Sequence, residues 1–265
     1  MSFVKRLKEE TAAPETLNLY WLGQGGFALK TEKGKLILVD PYFTDSVYHS
    51  FREENGYSFK RLSPSLLDPE DLTYDEIYIS HEHGDHLDTE AYPEASRGGD
   101  TKLFCNQESA AILKECGVEP EKITVVETDD VLERDGYTVR IVRANHGELC
   151  PGAKGFLFDF GFTRIYYSGD TCYDEELLAE IAAYKPEICL LPINGAFGNM
   201  NNEEAVRFGE GVHGKILIPY HFWTFPLHLG DPLGLLQDFE ENQASRNIQL
   251  QLLTPGEKFT VTAME

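Results

Sequence analysis

Apolar and polar residues first alternate at strand period along this chain. "LNLYWLG" (17 to 23), "GFALKT" (26 to 31) and "KLILVDPYF" (35 to 43) are strand-length runs separated by Gly-containing or charged turns such as "EKGK", which predicts a β-meander. An aromatic, polar stretch with mixed signals follows (44 to 70), read as a lid or pocket wall, and then the strand "EIYIS". "KLFCN", the helix-like "QESAAILKECG" with its Gly stop signal, and "KITVVE" alternate strand and helix. "YTVRIVRAN", "KGFLFDFG" and "TRIYYSGD" then predict consecutive strands, and "DEELLAEIAAYKP" predicts a helix stopped by Pro186. The near-continuous apolar run "ICLLPI" predicts a strand buried on both faces. The last third repeats the alternation: "NNEEAVRFGEGVHG" and "DPLGLLQDFEEN" as helices, "KILIPYHF" and "IQLQLL" as strands. No low-complexity linker interrupts this pattern, so one continuous domain over residues 1 to 265 is expected, of α/β class, with two packed sheets covered by outer helices in four layers.

Composition narrows the function classes. At 42% hydrophobic and 26% charged, the 265 residues can bury a sizeable core. Forty-five acidic against 23 basic residues give a formal charge of -22, which removes the electrostatic attraction that dominates nucleic-acid binding. A small phosphorylated substrate stays compatible, because bound cations can invert the local potential of a pocket. The five cysteines (Cys105, Cys116, Cys150, Cys172 and Cys189) are scattered and never in C-x-x-C spacing, so neither a disulfide framework nor a zinc finger is indicated. The start lacks a signal-peptide core, and no run of about 18 apolar residues could cross a bilayer. A cytoplasmic protein without a membrane partner is expected, and a homo-oligomer stays open.

The chemistry concentrates in "SHEHGDHLD", where His81, His83, Asp85 and His86 fall within six positions directly behind a strand. His81 and His83 can point to one side of an extended loop, while Asp85 and His86 lie beyond Gly84, where the backbone can turn sharply. Imidazole and carboxylate together suit zinc, iron or manganese, and four ligands on one loop exceed the needs of a single open catalytic site. Two divalent metal ions are therefore expected. Further ligands stand where predicted strands hand over to loops: His146 in "ANHGE", Asp170 in "SGDT" and His221 in "PYHF". His49, His213 and His228 are read as ordinary solvated or core imidazoles, although His228 is also a candidate for holding a substrate phosphate, together with Lys154 and Arg143. Tyr42, Phe197, Phe222, Trp223 and Phe225 could equally line a pocket or fill the core. Cys172 has no partner motif and is not taken as a nucleophile.

"SHEHGDHLD" resembles the signature of the metallo-β-lactamase superfamily, and the succession Asp40, His81 to His86, His146, Asp170 and His221 matches that superfamily's motif order along almost the whole chain. "LYWLGQGGFALKTEKGKLILVDPYF", "YYSGDTCYDEELL" and "ILIPYHFWTFPLHLGDP" are similar to the L-ascorbate-6-phosphate lactonase-like branch of metal-dependent hydrolases. The resemblance implies an αββα sandwich with the metals at one sheet edge. It also implies that His81, His83 and His146 hold one ion, that Asp85, His86 and His221 hold the other, that Asp170 bridges them, and that Asp40 orients a ligand. Two such cations about 3.5 to 4 Å apart share a water and hold the resulting hydroxide as nucleophile, so no Ser or Cys is required. Asp170 and Asp85 are then the candidate catalytic carboxylates, Asp170 shuttling the proton to the leaving group. The expected activity is metal-dependent hydrolysis of a small cyclic ester such as a sugar-derived lactone, with zinc or manganese as cofactor and iron also compatible. The alternatives are a metal-dependent phosphodiesterase, a non-catalytic metal-binding scaffold and a di-iron redox protein; the last is weakened because its relatives carry Glu where this chain has His83.

Overall fold

A computed structural model describes residues 2–227 and 229–264. The chain forms two compact units: Met1–Val126 with Thr224–Leu227 and Thr254–Thr262, and Glu127–Trp223 with His228–Leu253 and Ala263–Glu265.

In the first unit the elements run α1 (Phe3–Glu9), β1 (Thr16–Gly23), β2 (Gly26–Thr31), β3 (Leu36–Val39), α2 (Ser46–Asn55), β4 (Glu76–Tyr78), α3 (Tyr92–Ala95), β5 (Lys102–Cys105), α4 (Gln107–Glu115) and β6 (Ile123–Val125). The second unit continues with β7 (Val131–Arg134), β8 (Tyr137–Arg143), β9 (Lys154–Asp159), β10 (Arg164–Tyr167), α5 (Glu175–Tyr184), β11 (Ile188–Pro192), α6 (Asn202–Gly211), β12 (Ile216–Tyr220), α7 (Pro232–Asn242) and β13 (Gln249–Leu250). A last strand, β14 (Lys258–Thr262), returns to the first unit.

Each unit is built on a seven-stranded mixed sheet, in the order β14-β1-β2-β3-β4-β5-β6 and β13-β12-β11-β10-β9-β8-β7. The first is antiparallel from β14 to β3 and parallel from β3 to β6. The second is antiparallel from β7 to β10 and parallel from β10 to β13. This is the expected α/β class of two sheets with flanking helices, consistent with the metallo-β-lactamase fold.

Side-chain parity explains why the first sheet reads as nearly unbroken apolar runs. Tyr20, Leu22, Ala28, Leu36, Leu38, Ile77, Ile79, Leu103 and Cys105 form one core with Leu7, Ala91, Tyr92, Ala95, Ala110 and Leu113 from the helices and the loop before α3. Their neighbours on the opposite face, Leu19, Phe27, Leu29, Ile37, Val39 and Phe104, are buried as well, so both faces are covered. β11 is buried at every position, as "ICLLPI" predicts.

Helix starts follow their caps. Asn106 accepts from the Ser109 N–H at α4, Asp174 from Glu176 and Leu177 at α5, and Asn201 with Glu204 forms a reciprocal capping box at α6. Several expectations need correction. The stretch 44 to 70 holds the helix α2, whose apolar residues Val47, Tyr48 and Phe51 share one side but are only half-buried. α1, α3, β7 and β14 were not anticipated, β3 ends at Val39 rather than Phe43, and "IQLQLL" pairs only at Gln249 and Leu250.

Candidate metal centre

In the first unit the candidate residues leave the C-terminal ends of two adjacent parallel strands, Asp40 after β3 and His81 after β4. Asp40 has φ 42°, a left-handed conformation uncommon for a side-chain-bearing residue, and its N–H donates to the Tyr78 carbonyl at 2.9 Å. That turn drives its carboxylate into the interior, where it is fully buried. Oδ1 accepts from the Ser80 N–H at 2.7 Å, and Oδ2 accepts from the Ser80 hydroxyl and from His86 Nδ1, the latter at 2.7 Å. The Ser80 hydroxyl, having given its proton to Asp40, faces His81 Nδ1 at 2.9 Å as acceptor. One buried carboxylate thereby places the ring proton of both His81 and His86 on Nδ1, directly or through Ser80, and leaves each Nε2 with a lone pair. Donor atoms of Asp40, His81 and His86 lie within 4.8 Å of one another.

His83 brings its Nδ1 to 3.0 Å from His81 Nε2, with ring centroids 4.6 Å apart. Two imidazole nitrogens that close require one of them to carry a proton, or a cation to face both. Asp85 stands with Oδ2 at 3.7 Å from His86 Nε2. Neutral imidazole nitrogens flanked by a carboxylate are a donor set that zinc, manganese and iron accept, so the residues present fit a divalent cation. The loop's turn differs in origin from the expectation at Gly84. That residue has no left-handed φ, and a Cβ there would meet Val47 at an ordinary 3.5 Å. The turn is closed instead by the His83 carbonyl, which accepts from the N–H groups of His86 at 2.9 Å and Leu87 at 2.7 Å.

The second unit gathers the other three candidates. β8 runs in the same direction as β10 across β9, and β12 is parallel to β10 across β11, so His146, Asp170 and His221 emerge at the same edge of the sheet. All three are buried. Asp170 directs Oδ2 towards His146 Nε2 at 3.8 Å and Oδ1 towards His221 Nε2 at 3.3 Å, one oxygen for each imidazole. The loop before His146 is pinned by Asn145, whose N–H donates to Thr171 Oγ1 and whose amide donates to Asp174, both at 2.9 Å. Burial pushes the Asp174 carboxyl up, but hydrogen bonds from Arg143, the Leu177 N–H and Asn145 outweigh it and hold this group well below the usual carboxylate range.

The remaining candidates divide. Lys154 is buried and directs its ammonium to Thr128 Oγ1 at 3.1 Å and Glu127 at 3.6 Å. Arg143 is held by Asp174 at 2.9 Å and Glu180 at 3.1 Å. His228 lies outside the described residues. His49 pairs with Glu90 on the surface. Tyr42, Phe222 and Phe225 are buried, whereas Phe197 and Trp223 are 59% and 47% exposed. Burial, then Asp174, push the Cys172 thiol up, which disfavours the thiolate a nucleophile requires. Two residues escaped the sequence reading: Ser80, which relays Asp40 to His81, and Gln24, whose Nε2 donates to Asp85 Oδ2 at 2.7 Å. A serine beside a ligand cluster and a glutamine in a hairpin carry no signal of these contacts; the "GQGG" turn around Gln24 was the nearest hint.

A β-lactamase superfamily domain matches residues 18–221. The chain is 30% identical over 256 residues to a UPF0173 metal-dependent hydrolase of Carboxydothermus hydrogenoformans, covering 91% of this chain and 98% of that one. A UPF0173 metal-dependent hydrolase of Methanosarcina mazei is 29% identical over 253 residues, covering 91% and 97%. Among solved structures, an isothiocyanate hydrolase from Delia radicum gut bacteria superposes with a TM-score of 0.74 at 22% identity, over 93% of this chain and all of that one, which speaks to the fold alone. Motif, architecture and these matches agree: the chain belongs to the β-lactamase superfamily, within the UPF0173 family of metal-dependent hydrolases.

Proposed function

We propose that the chain acts as a single metal-dependent hydrolase domain with two divalent cations, zinc or manganese, with iron also compatible. His81, His83 and His146 hold one ion, Asp85, His86 and His221 the other, and Asp170 serves both. The observation that carries this reading is the Asp40 carboxylate, which sets the tautomers of His81 and His86 together and commits both Nε2 atoms as donors. Bound cations supply Lewis-acid polarisation of the scissile carbonyl or phosphoryl oxygen and acidify a water towards neutrality.

The protein's own groups do the rest. Asp40 and Ser80 hold the two imidazoles in one tautomer, so no reorganisation is needed as the reaction proceeds. Asp170, with one oxygen towards each of two imidazoles, or a water it positions, would carry the proton to the leaving group. Asp85 faces the His86 Nε2 lone pair at 3.7 Å, so that the two would offer their donor atoms to the same ion. The substrate is a small cyclic ester, a sugar-derived lactone by resemblance to the lactonase-like branch; the charge of -22 weighs against nucleic-acid phosphodiesters. A hydrolysis panel of lactones, phosphodiesters and thioesters, run on metal-loaded and chelated protein with His83→Ala beside it, tests the reading. Metal-dependent turnover lost in the variant is expected; turnover that survives both chelation and His83→Ala overturns it.

A further inference from the structure

Gln24 sits at the tip of the β1–β2 hairpin, where pairing shifts register between Trp21 and Gly23. It is 1% exposed and holds φ 49°, a backbone conformation that costs a side-chain-bearing residue of order 1–3 kcal/mol and persists only where the surroundings enforce it. The enforcement is visible on both sides of the residue. Its carbonyl accepts from the Trp21 indole at 3.0 Å, and its N–H donates to Thr224 Oγ1 at 3.0 Å. Thr224 is itself pinned, its carbonyl accepting from the Leu62 N–H at 2.8 Å. The hairpin also packs closely on the strand end that carries Asp40: a Cβ on Gly26 would meet the Gly23 carbonyl at 3.1 Å and the Asp40 carbonyl at 3.4 Å. This backbone carries the side chain to Asp85, the amide of Gln24 donating to Asp85 Oδ2 at 2.7 Å.

His81 and His86 are fully buried beside Ser80 and Asp40, whereas the Asp85 side chain is 18% exposed. An amide donor on one carboxylate oxygen orients the group and leaves its negative charge in place. We infer that Gln24 is a positioning residue for Asp85, through which the strained tip of the β1–β2 hairpin sets the affinity of the metal position that takes Asp85. The inference rests on the two-ion reading above, and it assigns to a hairpin distant in sequence from "SHEHGDHLD" the control of how fully the second position is occupied.

Metal-free protein titrated with zinc against a chromophoric chelator tests this without turnover. In the native chain two equivalents are expected. Gln24→Ala is expected to weaken the Asp85-dependent equivalent by about 10- to 100-fold, the usual effect of losing a group that orients a ligand, and to leave the other unchanged. Gln24→Glu, which cannot donate and sets a second charge against Asp85, is expected to weaken it further. Gln24→Gly relieves the left-handed backbone while removing the amide, so its melting temperature should hold or rise while the same equivalent weakens. Asp85→Ala should lose that equivalent, and adding Gln24→Ala to it should change nothing more. Native affinity in Gln24→Ala and Gln24→Gly, or additive losses in the double variant, overturns the role of Gln24. A native chain that binds no divalent cation overturns the two-ion reading, and this inference with it.

Discussion

At the residue scale the centre depends on one carboxylate. Asp40 accepts three hydrogen bonds in a fully buried position: one from the His86 ring and two from Ser80, whose hydroxyl oxygen in turn faces His81 Nδ1. Asn tolerates left-handed φ and keeps the shape of Asp, so Asp40→Asn isolates the charge and acceptor capacity. We expect metal affinity to fall about 10- to 100-fold and stability to fall by about 1–3 kcal/mol, because a buried acceptor becomes a donor facing donors. Calorimetric zinc titration and denaturant unfolding check both; native values would show that the tautomers are set elsewhere. Ser80→Ala should affect His81 alone, with a smaller loss, since His86 keeps its direct contact with Asp40. The side chains proposed as metal ligands stand out in the sequence because four of them are local to one loop. Asp40 was legible only as a residue at a strand end, and Ser80 and Gln24 were not legible, since their roles depend on backbone angles and tertiary contacts that alternation patterns do not record.

At the element scale, strand ends carry the chemistry and caps fix the loops between them. Asp174 caps α5, accepts from Arg143, and holds Asn145 beside His146. Asp174→Ala should cost about 1–2 kcal/mol from the cap alone, measured by urea unfolding. Asp174→Asn keeps a competent cap and loses the charge that Arg143 pairs with. The folded-state pKa of Asp174 is depressed, so its ionised form stabilises the fold above the unfolded value of about 3.9, and that contribution fades as pH falls through the folded value. The stability gap between native protein and Asp174→Asn should therefore be constant near neutrality and close below about pH 4; a gap that widens in acid would contradict the assignment. The strands β1, β2, β8, β10, β11 and β12 were legible because both-face burial or alternation leaves long apolar signals. α2 was not, because its short apolar side of Val47, Tyr48 and Phe51 lies in a stretch of mixed aromatic and polar signals, and β14 was not, because only Val261 of its five residues is buried.

At the scale of the whole molecule, an acidic chain keeps a cluster of buried imidazoles and carboxylates in each of two sheet-based units. A cation that binds only the folded state stabilises it by mass action, by about 2.7 kcal/mol at a hundredfold excess over its dissociation constant. Chelation should accordingly lower the melting temperature by several degrees and re-addition of zinc or manganese should restore it, as read by calorimetry. The most direct test of the central claim is the number of divalent ions bound per chain at equilibrium, counted by elemental analysis after dialysis of native protein and of His83→Ala against zinc or manganese. The account predicts two per native chain and fewer than two in the variant; one or none in the native chain, or two in His83→Ala, would contradict it.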